Sequence, residues 1–163
     1  PQILARAGKL PAVHPKDGDP VRAGVIHVAP PDHHLVVKDG HVRLTRGPRE
    51  NGHRPAADTL FRTAARSHGP RVVGAVLSGV LDDGTAGLLC VKRGGGLAVV
   101  QHPDDALYDG MPRSALANVA VDFSLPAAEI GPLLGRLAAE PAGPPGPGLS
   151  PDDVMEADMA ELE

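Results

Sequence analysis

The sequence predicts an α/β domain in which short parallel strands alternate with helices and one β-hairpin is inserted. Three observations carry this. Val72 to Leu77 and Leu97 to Val100 are apolar runs too short for helices. Helix-period segments lie between and beyond them, at 56–67, 85–92 and 126–140, and that alternation is the pattern of parallel layering. Lys38-Asp39-Gly40 separates two strand-like arms, as a hairpin turn does.

Taken in order, residues 1–8 read as a short helix ending at Gly8, abrupt enough to suggest a helix whose beginning is missing. Residues 9–24 are polar and turn-rich. Val25 to Ala29 is a short strand stopped by Pro30-Pro31. Leu35–Val37 and His41–Thr45 form the hairpin, and Val42 and Leu44 alternate with charged neighbours, so one face is expected to be wet. After a loop at 46–54, Pro55 opens a helix whose stripe is Ala57, Leu60, Phe61 and Ala64. Val72–Leu77 is a strand, Thr85–Lys92 a helix ended by Gly94-Gly95-Gly96, and Leu97–Val100 the next buried strand. A short helix at 112–118, an extended piece at 121–123 and a helix at 126–140 follow, the last with Ile130, Leu133, Leu134 and Leu137 on one side. Pro141 to Pro147 breaks the pattern. Beyond it Met155, Met159 and Leu162 have helical spacing, in a segment that could dock elsewhere.

A chain of 163 residues suffices for one domain with a real core, and with aromatics at 2% and no Trp that core must be Val, Leu, Ile and Ala. The 20 Gly and 18 Pro fall at turns rather than in a repeat. The net charge of −4 comes from residues 151–163, which hold six acids and no base. The body is nearly neutral, with no long basic run and few aromatics, which argues against nucleic-acid binding. No apolar run approaches membrane-spanning length, so membrane insertion is not expected. The single Cys90 sits in apolar surroundings, is expected to be buried, and points to a reducing, cytoplasmic compartment.

The chemistry centres on Leu77-Ser78-Gly79-Val80-Leu81-Asp82-Asp83-Gly84-Thr85-Ala86-Gly87. It follows a strand and precedes a helix, where open α/β sheets build their sites. Asp-Gly pairs form turns because the side chain bonds nearby amides. An alternative is a carboxylate that orients a histidine in an acyl-transfer triad. Spacing alone leaves both open for Asp83, and Asp82 competes with it. The stretch lacks the ending of a phosphate loop and the spacing of a dinucleotide fingerprint. The eight histidines include adjacent His33-His34 but no His-Glu-x-x-His spacing, and one cysteine excludes a multi-cysteine metal site, so no metal is expected. Ser78 lies in the turn, but no Gly-x-Ser-x-Gly elbow exists to mark a nucleophile.

The ordered set of motifs resembles the catalytic domain of the chemotaxis protein-glutamate methylesterase family. The matching stretches are Gly24 to Leu35, Asn51 to Asp58, Leu77 to Gly87, Gly94-Gly95-Gly96, Gln101-His102-Pro103 and Gly110 to Arg113, within residues 1–137. The resemblance implies a doubly wound, mostly parallel sheet with an inserted hairpin, incomplete at the amino terminus. It implies a serine-type esterase that hydrolyses glutamate methyl esters of receptors, in many members also deamidating glutamine, without a cofactor. Asp83 matches the triad aspartate. Val80 stands where the family commonly has methionine, beside the oxyanion-stabilising backbone, and Leu81 where many members have glycine. His53, Arg54, Asp58 and Gly110-Met111-Pro112 match cleft-region patterns without an assigned step. The family's nucleophilic serine and its histidine belong to an amino-terminal segment that precedes the first helix of this chain, so the chain alone is expected to be inactive.

The expected organisation is therefore residues 1–140 as the carboxy-terminal portion of such a domain and 141–163 as a Pro/Gly linker and acidic tail. Its partner would be a methylated receptor or another signalling protein, with possible association through the tail. The alternative is a non-catalytic interaction module derived from the esterase fold.

Overall fold

The computed structural model describes residues 1–162; Glu163, the last acid of the expected tail, lies outside the described residues. In chain order the elements are α1 (Gln2–Ala7), β1 (Ala12–Val13), β2 (Ile26–His27), β3 (His34–Lys38), β4 (His41–Thr45), α2 (Ala57–His68), β5 (Val73–Val76), α3 (Thr85–Arg93), β6 (Leu97–Gln101), α4 (Gly110–Asn118), β7 (Phe123–Leu125), α5 (Ala127–Leu137) and α6 (Pro151–Ala160).

β5, β6 and β7 form a parallel sheet in that order. The apolar run of β6 is central and buried, as its lack of polar residues requires. Alternation then sorts its side chains. Ala98 and Val100 pack with Leu88 of α3 and Ala115 of α4, whereas Val99 packs with Ile130 and Leu133 of α5. Helices thus cover both faces of the sheet, and the fold is α/β as expected. No helix among the described residues is long and apolar enough to cross a membrane.

The hairpin forms where Lys38-Asp39-Gly40 places it. Asp39 (φ 49°) and Gly40 (φ 75°) both occupy the left-handed region, the geometry of a two-residue turn matched to strand twist. The amino-terminal strand is shorter than its apolar run, Ile26–His27 rather than Val25–Ala29, and it pairs in parallel with Ala12–Val13. β1 lies in the stretch read as turn-rich, because two residues give no periodicity to detect.

Helix α2 departs from its expected stripe. Its fully buried residues include Asp58, Thr59, Arg62 and Thr63, while Ala57, Leu60, Phe61 and Ala64 are only half-buried. The reason is position: α2 packs against α3, β3 and α6. Its polar side is buried because it is bonded. Thr63 Oγ1 accepts the Val37 N–H at 3.2 Å, and Ser67 Oγ donates to the Val37 carbonyl at 2.8 Å. Arg62 pairs with Glu50 at 2.9 Å and with Glu156 at 2.8 Å.

The acidic segment is a helix docked on its own body. Ser150 caps α6 and Asp153 returns the bond in a capping box. Asp153 pairs with Arg93 (2.6 Å), Asp158 with Arg66 (2.5 Å) and Glu161 with Lys38 (2.5 Å). Ala157 and Ala160 are buried in the seam, and Thr45 Oγ1 donates to the Ala160 carbonyl at 2.7 Å. Met155, Met159 and Leu162 instead face solvent. Charge and small residues, rather than the Met/Leu stripe, make this contact.

The same helix covers the lone thiol. Cys90 is buried and donates to Asp153 Oδ1 at 3.3 Å, and burial, with Asp153 adding to it, pushes the thiol up to about 12. Glu156 and Asp158 are the exposed acids of their pairs, and Arg62 keeps Glu50 as a partner. Ion pairs made by exposed acids contribute about 1 kcal/mol each, so neutralising these two loosens α6 without unfolding the sheet. The double variant Glu156→Gln/Asp158→Asn is expected to raise the rate of Cys90 modification by a disulfide reagent about tenfold at unchanged circular dichroism. An unchanged rate would show that α6 is held by something other than these pairs.

Candidate active site

The turn after β5 and the loop after β6 meet at the carboxyl edge of the sheet. Ser78 N–H donates to Gln101 Oε1 at 2.8 Å, and Gln101 Nε2 donates to Asp105 Oδ2 at 2.7 Å. Ser78 Oγ accepts the Tyr108 N–H at 2.9 Å and lies 3.2 Å from the Tyr108 carbonyl, to which it donates. The Gly79 N–H donates to the same carbonyl at 2.9 Å, and the Met111 N–H returns to the Gly79 carbonyl at 2.9 Å. A Cβ on Gly79 would lie 2.1 Å from Met111 Sδ, so any side chain there would displace the Met111 side chain packed on this turn. Ser78 therefore ties two loops together through its hydroxyl.

Two residues further on, Leu81 takes φ 65°, a region costly for a branched side chain. This is the position where the resemblance puts glycine. Val80 and Leu81 are exposed, as are Leu77, Leu107 and Tyr108 on the adjoining loop, so the edge is rimmed by apolar side chains.

Asp83 is half-buried, and its carboxylate does not bond its own turn. Oδ2 accepts the Ala57 N–H at 2.8 Å and Oδ1 the Asp58 N–H at 3.1 Å, both at the start of α2. The cause is in the sequence of α2. Pro55-Ala56-Ala57 offers no Ser, Thr, Asp or Asn at the helix start, and Ala56 is the N-cap with no side-chain bond of its own. The first amides need acceptors from elsewhere. His34 Nδ1 takes the Ala56 N–H at 3.3 Å, while its Nε2 lies 2.9 Å from the Pro48 carbonyl, so the tautomer carries its proton on Nε2. Three successive amides are thus satisfied by His34 and Asp83. An uncapped helix start following Pro55 was the available signal that an acceptor must arrive from another segment.

The debt is returned by Asp58. Its Oδ1 accepts the Gly87 N–H at 2.6 Å in the first turn of α3, and its Oδ2 accepts from Asn51 Nδ2 at 3.3 Å. Each helix start is held by an aspartate from the other strand-to-helix unit. The helices can cross this closely because Gly87 has no side chain: a Cβ there would lie 2.6 Å from Phe61 Cβ and 2.9 Å from the Asp58 backbone.

The other residues singled out in sequence fall into supporting positions. Arg54 grips Asp32 at 2.7 Å and donates to the Arg46 and Gly47 carbonyls, fixing the loop that leads into α2. His53 is exposed, with its backbone paired to Glu50. His102 is exposed, beside Asp104 at 3.8 Å. His27 lies in β2, and both its ring nitrogens are buried without a hydrogen-bond partner among the described residues. None of these histidines is bonded to Asp83. A cavity of 350 Å³ opens beside Asp58 and Arg62, walled on its far side by Glu156, Met159 and Ala160 of α6.

A parallel sheet covered on both faces, with two loops tied together at its carboxyl edge and a carboxylate there bonded to the start of α2, defines a parallel-sheet α/β domain. The chain belongs to the CheB methylesterase family, whose model matches residues 1–134. It is 36% identical over 137 residues to a putative protein-glutamate methylesterase/protein-glutamine glutaminase of Leptospira interrogans, covering 83% of this chain and 71% of that protein. It is 36% identical over 146 residues to protein-glutamate methylesterase/protein-glutamine glutaminase 4 of Anaeromyxobacter dehalogenans, covering 87% of this chain and 41% of that protein. The crystal structure of the Thermotoga maritima CheB methylesterase catalytic domain superposes with a TM-score of 0.72 at 31% identity, covering 76% of this chain and 68% of that one.

The crossing also fixes a pH dependence. Burial pushes the Asp58 carboxyl up to about 6, with the Asp83 charge adding to it and the Gly87 N–H opposing. The folded state therefore binds this proton more tightly than the unfolded one, so stability from this group falls as pH rises from about 4 to about 6. Asp153 acts oppositely and lower: burial works upward, but hydrogen bonds from Ser150, Arg93 and Cys90 outweigh it and bring it down to about 2. Urea unfolding of the wild type and Asp58→Asn at pH 7 and pH 4.5 isolates the effect. The wild type is expected to gain stability relative to the variant at the lower pH; a difference that does not move with pH would contradict the burial of Asp58.

Proposed function

We propose that this chain is the carboxy-terminal portion of a protein-glutamate methylesterase catalytic domain and that Asp83 is the acid of its Ser-His-Asp machinery. The observation that carries this reading is the position of the Asp83 carboxylate, on the turn after β5 and held by two amides of α2. Each carboxylate oxygen has a second lone pair, so Asp83 is still able to accept from an imidazole N–H. The names of the relatives supply the substrate class.

In this reading the serine and histidine come from sequence amino-terminal to Pro1. The serine attacks the glutamyl methyl ester, the histidine takes its proton and returns it to the departing methanol, and water then cleaves the acyl-enzyme. A glutamine side chain would lose ammonia by the same route. Asp83 holds the histidine tautomer and stabilises the imidazolium, and backbone amides stabilise the oxyanion. No cofactor enters these steps. The partner is a methylated receptor or related signalling protein, and the compartment is the cytoplasm. Residues 1–140 form the catalytic portion and 141–163 a linker with its acidic helix. Because three acids of that helix, Asp153, Glu156 and Asp158, and Glu161 just beyond it are paired to the body, any association through the tail would involve its outward Met155, Met159 and Leu162.

In the full-length protein, Asp83→Asn is expected to lower methanol release from methyl-esterified receptor helices about 10⁴-fold at a retained circular dichroism spectrum. Turnover unchanged by this substitution would remove Asp83 from the machinery.

A further inference from the structure

We infer that Asp58 is a positioning residue for this reaction: its carboxylate closes a two-armed clamp between residue 58 and segment 83–87 that fixes where the Asp83 carboxylate points. The inference rests on the reading of Asp83 given above.

Residue 58 contributes both arms. Its backbone N–H donates to Asp83 Oδ1 at 3.1 Å, and its side-chain Oδ1 accepts the Gly87 N–H at 2.6 Å. Between the two contact points run only Gly84, Thr85 and Ala86, with Gly84 at φ 93°. A segment this short, anchored at both ends to one residue, has little freedom to rotate. The outer wall is fixed too. Thr85 Oγ1 donates to Ser114 Oγ of α4 at 2.9 Å, and Asn51 Nδ2 donates to Asp58 Oδ2 at 3.3 Å.

Without the Asp58 side chain the Gly87 arm opens, and the crossing is left to the weaker hold of the Asp83 arm alone. The start of α3 is then free to shift away from α2, and the Asp83 carboxylate moves with it. A buried amide at Gly87 would also be left unpaired, which adds to the tendency to part. Catalytic constellations tolerate little such movement: a displacement of about 1 Å costs about 10²-fold. What the clamp requires at position 58 is a hydrogen-bond acceptor at the right reach. Its charge is a by-product, which burial and Asp83 both oppose.

This separates the variants. In the full-length protein, with a methyl-esterified glutamate peptide as substrate, Asp58→Ala is expected to lower kcat about 100-fold with KM within about twofold. Asp58→Asn keeps an acceptor of the same reach and is expected to restore kcat to within about fivefold of wild type. Asp58→Glu retains charge and acceptor but is one methylene longer, and is expected to lower kcat about tenfold at unchanged KM. This last variant decides the matter if Asp58→Ala does not fold. A folded Asp58→Ala or Asp58→Glu with wild-type kcat overturns the inference. So does a kcat loss in Asp58→Ala that follows the loss in Tm and is not rescued by Asn.

Hydrogen exchange at the Ala57 amide gives a readout independent of turnover. Its protection should fall in Asp58→Ala and persist in Asp58→Asn; unchanged protection in folded Asp58→Ala overturns the clamp. A wild-type protein that releases no methanol would defeat the functional reading alone, and the Ala57 amide would still judge the clamp.

Discussion

Two helix starts that cannot cap themselves are capped by each other. Helix α2 begins at Ala56-Ala57, and helix α3 begins after Gly84, which has no side chain to cap with. Exposed amino-terminal amides would be unpaired donors in a buried crossing, a cost of about 1–3 kcal/mol each. Asp83 and Asp58 remove it reciprocally. The cost of the arrangement is two carboxylates near one another, one of them raised to about 6 by burial first and by the other's charge after that. The partial positive charge at both helix starts offsets part of that repulsion. Gly87 sets the distance at which the exchange is possible.

From that crossing the rest of the edge follows. Asp83 is carried by the turn after β5, whose other end is tied to the loop after β6 through Ser78, Gln101 and Tyr108. The loop after β6 is in turn anchored to α5, since Asp105 accepts the Ala127 N–H at 2.8 Å. A carboxylate at the end of the sheet is therefore referenced to α2, α3, β6 and α5 together. Leu81 carries backbone strain inside this frame, which persists because the turns on either side are fixed. Next to this crossing, ion pairs from α6 complete the burial of Arg62, and Asp153 of the same helix covers Cys90 of α3.

Much of this was legible in the sequence. The Asp39-Gly40 turn, the apolar β5 and β6 runs and the α3 helix ended by three glycines were all set by local chemistry. Two things were not. The first was β1, too short for any period to show. The second was the buried side of α2. Periodicity marked only Ala57, Leu60, Phe61 and Ala64 as the inward stripe, whereas Asp58, Arg62 and Thr63 are buried, each through a bond to a distant segment: Gly87, Glu156 and Val37. Asp83 showed the same ambiguity. Its chemistry allowed a turn former or a functional acid, and the structure shows it capping another helix. Its ordered neighbours gave the family, and the missing cap on α2 was the one local clue to its partner.

The Asp83 carboxylate is fixed by the amides of α2 while Asp58 fixes α3. Through-hydrogen-bond scalar couplings measured by NMR on isotopically labelled chain report those bonds directly. Correlations are expected from the Ala57 and Asp58 amide nitrogens to the Asp83 carboxyl carbon, and from the Gly87 nitrogen to the Asp58 carboxyl carbon. Their absence, in a spectrum where the Gly79 nitrogen still correlates with the Tyr108 carbonyl carbon, would contradict this arrangement.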